Sequence, residues 1–397
     1  MITPKAKLPE LGIRGRSPSG KTRQESFRQS QAKRREKIGG VVVSCRVGNS
    51  THDELKLAAN QNEMTITDFS ARALEDSIRT SKSAITTVSF FCGAGGMDRG
   101  FIGGFEYKGR RYEPLPFNIL AAYDNNDKAI ETYKQNISPH AVSADLSTLR
   151  PEHLPKAELL LGGFPCQDFS SCGPRKGLGS ERGRLYRALV DYMDHHKPKM
   201  VIGENVSHIL RMDKGAILER IKSDIREVGY RVELWNLNAA DYGVPQARKR
   251  VIIVCLREDI DGDVPPLLPT NTVGTYHTAK WALEDLKGIS DEGVPNQSQY
   301  FKANRAKKSN GQGDETCDPN KPAYTIRANA RSRVQFHYSL PRRLTVRECA
   351  RLQTFPDDFV FPHSATSNIM QIGNAVPPVL AHQIAKRVQE YLRPSKA

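Results

Sequence analysis

The amino-acid sequence predicts an α/β protein built on a doubly wound sheet of mainly parallel strands. Two observations support this. Beyond residue 84, apolar segments with strand character alternate with segments whose apolar residues repeat at helical intervals, which is typical of a parallel sheet covered by helices. Glycines, acids and a cysteine stand where successive apolar segments end. That edge is where open α/β sheets bind their ligands.

Length and charge narrow the class of protein. The chain has 397 residues and a formal charge of +15, and residues 1–40 alone hold eleven Lys or Arg against three acids. This excess predicts an anionic partner, most simply nucleic acid, although a solubilising surface remains the alternative. No apolar run approaches the roughly 20 residues of a membrane span, and the N-terminus lacks a secretory signal. We therefore expect a cytoplasmic protein that does not enter a membrane.

The cysteines indicate neither a metal site nor a disulfide framework. There are seven, an odd number, scattered along the chain without a CxxC pair, and no two histidines lie four residues apart. Structural zinc sites need closely spaced ligands of these kinds. We therefore expect no bound metal.

The N-terminal region divides into two predicted parts. Residues 1–40 lack apolar periodicity and are expected to be a disordered basic arm. In "VVVSCRV" (41–47) the residues alternate as in a strand with two different faces, and two segments of helical periodicity follow within 41–82. This order resembles a ribbon-helix-helix module, which dimerises through its strands and inserts them into the major groove. Ser44 and Arg46 would then face the bases, and the chain would form a homodimer. The alternative is a helical extension packed on the domain that begins near residue 84.

The core of the chain shows the predicted elements in order. Strands are expected at 84–91, 118–124, 157–163 and 198–204, with two more within 231–257. Residues 257–340 are loop-rich and basic, and regular pattern returns with "LTVRECARLQ" and a final helix, "PVLAHQIAKRVQEYL". The pattern divides the remaining chain at residues 84–256, 257–342 and 343–393.

The loop after the first strand, "FFCGAGGM", indicates a nucleoside-containing cofactor. Glycines allow close approach of the backbone to a ligand, but the third glycine of a dinucleotide fingerprint is missing. A tight structural turn is an equally good interpretation of the loop alone, and a nicotinamide-dependent oxidoreductase is disfavoured. Asp124, at the end of the next strand, is positioned to accept from ribose hydroxyls.

Cys166 and Glu204 suit attack on an electron-poor ring. Both follow predicted strands, in "GGFPCQDF" and "VIGENV". A thiolate can add to the ring while a carboxylic acid, kept protonated by burial, donates to a ring nitrogen. The alternatives are that Cys166 is a small core residue and that Glu204 is a helix cap or half of an ion pair.

Six motifs in one order identify a resemblance to the DNA cytosine-5 methyltransferase family. They are "SFFCGAGGMDRGF", "GGFPCQDFSSCG", "GENV", "DYGVPQARKRVIIV", "RRLTVRECARLQTFPDDF" and "QIGNAVPP". The resemblance spans about residues 86–393. It implies a cofactor-binding catalytic domain at 84–256, a target-recognition domain at 257–342 and a C-terminal segment at 343–393 that returns to the catalytic domain. A branch of this family that methylates tRNA shares the PCQ motif, and a DNA-binding regulator with a vestigial catalytic fold is a further alternative. The filled catalytic positions and the basic arm favour a DNA-methylating enzyme.

The resemblance implies S-adenosyl-L-methionine (SAM) as cofactor and assigns residues by their motifs. The implied cofactor-binding residues are Phe91, Gly93, Gly95, Gly96, Asp124, Asp145, Asn374, Ala375 and Val376. Cys166 matches the nucleophile that adds to C6 of cytosine, and Glu204 the residue that protonates N3. Arg248 and Arg250 match arginines that contact the phosphate and O2 of the target, and Gln167 belongs to the loop that closes over the DNA. The target base must leave the duplex to be reached.

The resemblance also implies a biological role and shows one departure. It implies site-specific methylation of double-stranded DNA within a restriction–modification system, with specificity in roughly residues 287–335, where basic residues are available to phosphates or guanines (Arg305, Lys307, Lys308 and Arg331). Where the family often has an acid two residues before the Phe of the glycine loop, this chain has Ser89. The N-terminal module leads to a further hypothesis, repression of transcription.

Overall fold

The computed structural model describes residues 84–164, 184–303, 314–329 and 334–393, together with Lys56. The chain divides into two units, Met1–Ser77 and Ile78–Ala397. The predicted basic arm and, except for Lys56, the predicted ribbon-helix-helix module lie outside the described residues.

The described strands are β1 (Ile85–Phe90), β2 (Phe105–Tyr107), β3 (Arg110–Tyr112), β4 (Phe117–Asp124), β5 (Ala141–Ser143), β6 (Leu159–Gly162), β7 (Met200–Val206), β8 (Tyr230–Asn238), β9 (Lys249–Arg257), β10 (Glu315–Thr316) and β11 (Gln335–Phe336). Seven of them form one sheet in the order β5-β4-β1-β6-β7-β9-β8. The first five in this order run parallel to one another, whereas β9 is antiparallel to both β7 and β8. The strands β2 and β3 form a separate hairpin, and β10 pairs with β11.

The described α-helices are α1 (Gly96–Ile102), α2 (Asp127–Asn136), α3 (Arg184–His196), α4 (Ala216–Glu227), α5 (Ala279–Leu283), α6 (Val346–Leu352), α7 (Ala365–Asn374) and α8 (Pro378–Leu392). Local sequence explains several of their starts. The helix α6 begins with a capping box, in which Thr345 accepts from the Glu348 backbone and the Glu348 side chain accepts from the Thr345 backbone. The helix α8 begins at Pro378, whose fixed φ suits a first helical position.

The central strands are apolar on both faces because each face is covered. Ile85 of β1 belongs to one hydrophobic core, while Val88 and Phe90 belong to the core on the other side of the sheet. The same division separates Leu159 from Leu160 in β6. Two-sided burial produces the continuous apolar runs that are typical of parallel strands.

The structure confirms the predicted α/β class and the dominantly parallel sheet. Each predicted strand of the core is present within two residues of its expected ends, and the predicted final helix coincides with Pro378–Leu392. Among the described residues of 257–340, regular structure is limited to α5, β10, β11 and a short 3-10 turn, as the loop-rich composition predicts. The division into catalytic, target-recognition and C-terminal parts stays a prediction.

Candidate active site

The loop between β1 and α1 turns sharply through left-handed backbone. Phe91, Gly93 and Gly95 have φ values of 55°, 53° and 87°. Glycine adopts this conformation readily, but for a bulky side chain such as that of Phe91 it is unusual and costs on the order of 1–3 kcal/mol. Strain of this kind concentrates where a ligand is bound, so Phe91 marks the loop as a site.

The glycines of this loop serve two different purposes. A Cβ on Gly95 would lie 2.1 Å from Cδ1 of Ile137, and one on Gly96 would lie 2.4 Å from the carbonyl oxygen of Val376. These two glycines therefore permit close packing of the protein on itself. A Cβ on Gly93 would meet no atom within 4 Å. The space beside Gly93 is therefore available to a ligand.

Asp124 at the end of β4 ties the loop to the sheet. Its Oδ2 accepts from the backbone N–H of Gly93 and its Oδ1 from that of Asn126, both at 2.9 Å. Burial raises the pKa of Asp124, and these backbone donors oppose the rise. The carboxylate is thereby held in a fixed orientation.

A cavity of about 510 Å³ lies at this edge of the sheet. Its size is within the range of roughly 300–1,000 Å³ that is usual for small-molecule sites. It brings together most of the predicted site residues that the structure describes, since its lining includes Phe91, Gly93, Gly96, Asp124, Glu204, Arg250, Asn374, Ala375 and Val376. The lining does not include Gly95, Asp145 or Arg248.

Asp145 lies apart from the cavity wall. It follows β5, is exposed, and accepts through Oδ1 from the backbone N–H of Ser147 at 2.9 Å. This is a local turn contact, and the sequence-based assignment of Asp145 to the adenine stays a prediction.

Glu204 and Arg250 form a buried ion pair in the cavity wall. Both residues are 9% exposed, and Nε of Arg250 lies 2.6 Å from Oε1 of Glu204. The pair arises from the antiparallel register, in which Arg250 lies opposite Val206, two residues from Glu204 on the same face. Arg250 also donates through Nη1 to the carbonyl oxygen of Lys249 at 2.8 Å.

Two further residues shape this end of the cavity. Asn205, next to Glu204 and 2% exposed, donates through Nδ2 to the carbonyl oxygen of Phe164 at 2.9 Å. This bond links β7 to the chain just before Pro165. A Cβ on Gly163 would lie 3.5 Å from Oε2 of Glu204, so the glycine keeps space open beside the carboxylate.

Arg248 takes a position that the sequence does not predict. It is 1% exposed, and its guanidinium donates to the carbonyl oxygens of Ile326 at 3.1 Å and of Gly373 and Ala375 at 2.9 Å. Its pKa is held well below its usual range, chiefly by burial and also by the charge of Arg250. Two of its acceptors lie at the end of α7, where a cation satisfies unpaired carbonyls and interacts favourably with the helix dipole.

Gln246 and Gln353 extend the contacts of Arg248 into a buried polar hub. Gln246 accepts from the backbone N–H of Ile326 at 2.9 Å and donates to Oε1 of Gln353 at 2.9 Å. Gln353 donates to the carbonyl oxygens of Ile372 at 2.6 Å and Ala375 at 3.2 Å. The hub therefore joins the start of β9 to the 326 region and to the segment that closes the cavity.

Several predicted residues lie outside the described part of the chain. These are Cys166 and Gln167, the module residues Ser44 and Arg46, and the basic residues Arg305, Lys307, Lys308 and Arg331. Their assignments stay predictions.

Four further residues of the site were not predicted from the sequence. They are Asp98, Asn205, Gln246 and Gln353, each almost fully buried. All four stand inside motifs quoted above, and this was the available signal. Gln246 and Gln353 act through contacts with residues far along the chain, which no local pattern reveals.

Among residues 84–164, 184–303, 314–329 and 334–393, no group of three or more His, Cys, Asp or Glu side chains could hold a metal ion. No helix in the part of the chain that the structure describes is long and apolar enough to cross a membrane.

Comparisons with known proteins agree with the geometry. Residues 85–390 match the model of the C-5 cytosine-specific DNA methylase family. The chain is 32% identical over 370 residues to the type II methyltransferase M.BspRI of Lysinibacillus sphaericus, covering 80% of this chain and 84% of that protein. It is also 32% identical to M.MthTI of Methanothermobacter thermautotrophicus, covering 77% and 97%.

Solved structures share the fold. The S. pombe Dnmt2 methyltransferase superposes with a TM-score of 0.60 at 18% identity, over 78% of this chain and 99% of that one. The Entamoeba histolytica methyltransferase EhMeth gives 0.57 at 16% identity, over 78% and 99%. These likenesses support a Rossmann-like methyltransferase fold, and the family match extends over most of the chain. The protein therefore belongs to the C-5 cytosine-specific DNA methylase family and is a DNA (cytosine-5-)-methyltransferase, with SAM the cofactor that family and fold imply.

Proposed function

We propose that the chain methylates one cytosine within a short site in double-stranded DNA, as the modification enzyme of a restriction–modification system. The observation that carries the catalytic part is the buried Glu204–Arg250 pair in the wall of the same cavity as the glycine loop. The restriction–modification part is supported by the type II methyltransferases to which the chain is similar.

The cavity fits SAM by its donors and its free space. Gly93 leaves open space beside the backbone, and the carboxylate of Asp124 is fixed and available to hydroxyl groups. Phe91 offers an aromatic face, and Asn374, Ala375 and Val376 line the same cavity. When bound, SAM supplies the methyl group.

The chain's own residues would activate the cytosine. The base is flipped out of the duplex so that its ring can enter the cavity. The Cys166 thiolate adds to C6, and Glu204 donates a proton to N3, so that C5 becomes nucleophilic. Methyl transfer to C5 follows. A base then removes the C5 proton, the C6–S bond breaks to release the thiolate, and N3 returns its proton to Glu204, which restores the ring.

Glu204 and Arg250 suit this step by their position. They present a carboxyl group and a guanidinium side by side in the cavity wall. A cytosine edge fits both groups, with N3 facing the carboxyl group and O2 facing the guanidinium.

Substitution of Cys166 tests the covalent route. Cys166→Ser is expected to lower methyl incorporation into DNA by at least about a thousandfold, because the hydroxyl is a far weaker nucleophile. Calorimetry should show SAM binding retained. Cys172→Ser is the matched control and should keep wild-type turnover. Near-normal turnover of Cys166→Ser would refute the mechanism.

A fluorinated substrate provides a second test. In duplexes with 5-fluorocytosine at the target position, no C5 proton can leave, so the enzyme should remain bonded to C6. The wild-type chain is expected to form a denaturation-resistant complex with DNA, and Cys166→Ser to form none. Mapping of 5-methylcytosine in DNA from an expressing host would identify the target site.

Transcriptional repression is a second candidate function, supported by the alternation at residues 41–47. Ser44 and Arg46 would contact base edges from a paired ribbon. Footprinting of the DNA upstream of the gene for this chain tests this role. The full chain should protect that DNA. A Ser44→Ala/Arg46→Ala variant should lose the protection while it still methylates DNA. Equal protection by both proteins, or none at any salt concentration, would refute this role.

A further inference from the structure

Asp98 is a buried acid of the cavity wall that the proposed reaction does not use. It is 0% exposed, belongs to α1, and lies among the residues that line the cavity. Its Oδ1 accepts from the hydroxyl of Ser89 at 2.8 Å and its Oδ2 from the hydroxyl of Tyr133 at 2.7 Å. Both donors are neutral.

Asp98 has no ion-pair partner among the described residues, in contrast to Glu204, which is paired with Arg250. Burial raises the pKa of Asp98 to about 6, and the two hydroxyl donors limit the rise. A second acid, Asp124, is close to the same place. Burial raises the pKa of the Cys92 thiol, and the charges of Asp98 and Asp124 both add to this rise.

This arrangement is costly in the ligand-free protein. A buried carboxylate is normally paired with a cation, because removal from water strongly disfavours its charge. At neutral pH Asp98 is nevertheless mostly ionised, since its pKa is about 6. The wall therefore presents negative charge to the cavity, and a cationic ligand would offset its cost.

We propose that Asp98, with Ser89, supplies the negative charge that recognises the positive charges of SAM. This inference rests on the proposed binding of SAM in the cavity. SAM carries a sulfonium and an ammonium group. The Ser89 hydrogen is committed to Asp98, so the lone pairs of the Ser89 oxygen remain available to a cation. The acid that the family often has at position 89 is thus present at position 98, one hydrogen bond away.

A negative charge at Asp98 would also make the cavity bind the substrate SAM in preference to the product. Methyl transfer converts the sulfonium of SAM into the neutral thioether of S-adenosylhomocysteine. The attraction to Asp98 is therefore weaker after the reaction than before it. Asp98 favours uptake of SAM over retention of the product.

The test measures binding of three ligands to the full chain by calorimetry. Asp98→Asn keeps the shape of the side chain and removes its charge. We expect it to weaken SAM binding by roughly tenfold or more and S-adenosylhomocysteine binding less, as expected for lost charge-assisted contacts. It should change binding of 5′-methylthioadenosine, which lacks both charges, by less than about twofold. Asp261→Asn, at an exposed acid outside the cavity lining, is the matched control and should bind all three normally.

Thermal unfolding without ligand separates recognition from a structural role. If Asp98 serves the ligand, Asp98→Asn should leave the midpoint unchanged or raise it at pH 7.5, because a desolvated charge has been removed. Equal weakening of all three ligands, or a lower midpoint, would overturn the proposal. A wild-type chain that binds none of the ligands would instead refute the proposed function, so the two failures are distinguishable.

Discussion

Arg248 and Arg250 are separated by one residue and are both at least nine-tenths buried, yet they meet different partners. Arg250 pairs with a carboxylate in the cavity wall, whereas Arg248 donates to backbone carbonyls of two distant segments. A guanidinium serves both purposes because it is planar, always charged and carries five donors. One motif therefore supplies a group that we propose acts on the target base and, beside it, a group that assembles the site.

The two arginines have different partners because they lie at different positions relative to β9. Arg250 is the second residue of β9, and its side chain contacts Glu204 of the neighbouring strand β7. Arg248 precedes the strand and meets the end of α7, whose last carbonyls lack partners within the helix. Gly373 allows the approach of this helix, since a Cβ there would lie 2.3 Å from the carbonyl carbon of Arg327.

Among substitutions that probe these two arginines, Arg250→Met is expected to have the largest effect. Methyl transfer should fall by at least about a hundredfold, since a preorganised donor at the reacting ring is lost. The free energy of unfolding should fall by about 3–5 kcal/mol, because Glu204 remains buried without its partner. Urea denaturation and methyl incorporation measure the two effects.

A double variant separates stability from chemistry at this position. Glu204→Gln/Arg250→Met removes both charges, so it should recover most of the stability and none of the activity. Recovery of activity would show that the pair is structural.

Arg248→Met should mainly affect stability and cofactor binding. Three buried carbonyls lose their donor, and each unsatisfied group costs about 1–3 kcal/mol. We expect the free energy of unfolding to fall by about 3 kcal/mol or more and SAM affinity to weaken, because the segment from Gly373 to Val376 loses an anchor. Calorimetry and urea denaturation measure both.

Lys249→Met is the control for Arg248→Met, since it removes an adjacent charge from an exposed side chain. If Arg248→Met kept stability and SAM affinity but lost DNA binding, the phosphate contact implied by the family resemblance would be favoured instead.

A smaller effect is expected for Gln353→Leu. It removes donors to the carbonyls of Ile372 and Ala375, but Arg248 still holds Ala375. The free energy of unfolding should fall by about 1–3 kcal/mol, with a modest loss of SAM affinity. A loss as large as that of Arg248→Met would show that the glutamine is the main anchor of the hub.

The smallest effect is expected at the far end of β9, where Arg257 pairs with the exposed Asp259. Exposed ion pairs contribute little because solvent screens them. Asp259→Asn should leave the urea midpoint and the methylation rate unchanged within error. A clear loss would contradict the view that burial, and not the arginine itself, sets the size of these effects.

Much of the fold could be predicted because its signals are local. The apolar run of β6, the alternation of strands with helices and the final helix α8 each follow from neighbouring residues. The positions of Asp124 and Glu204 at strand ends could be predicted for the same reason, since parallel strands end at one edge. The Glu204–Arg250 contact depends on register across an antiparallel pair, which residue pattern alone does not set.

The amino-acid sequence by itself determined the class of fold, the family and the residues available at the edge of the sheet, because periodicity and motif order are properties of neighbouring residues. Only the tertiary structure decided what those residues do. It buried Arg248 among carbonyls 78 to 127 residues away and buried Asp98 against the hydroxyls of Ser89 and Tyr133. The physical reason is that burial and charge pairing depend on which distant segments meet. The effect of a charged side chain is therefore set by the segments that surround it.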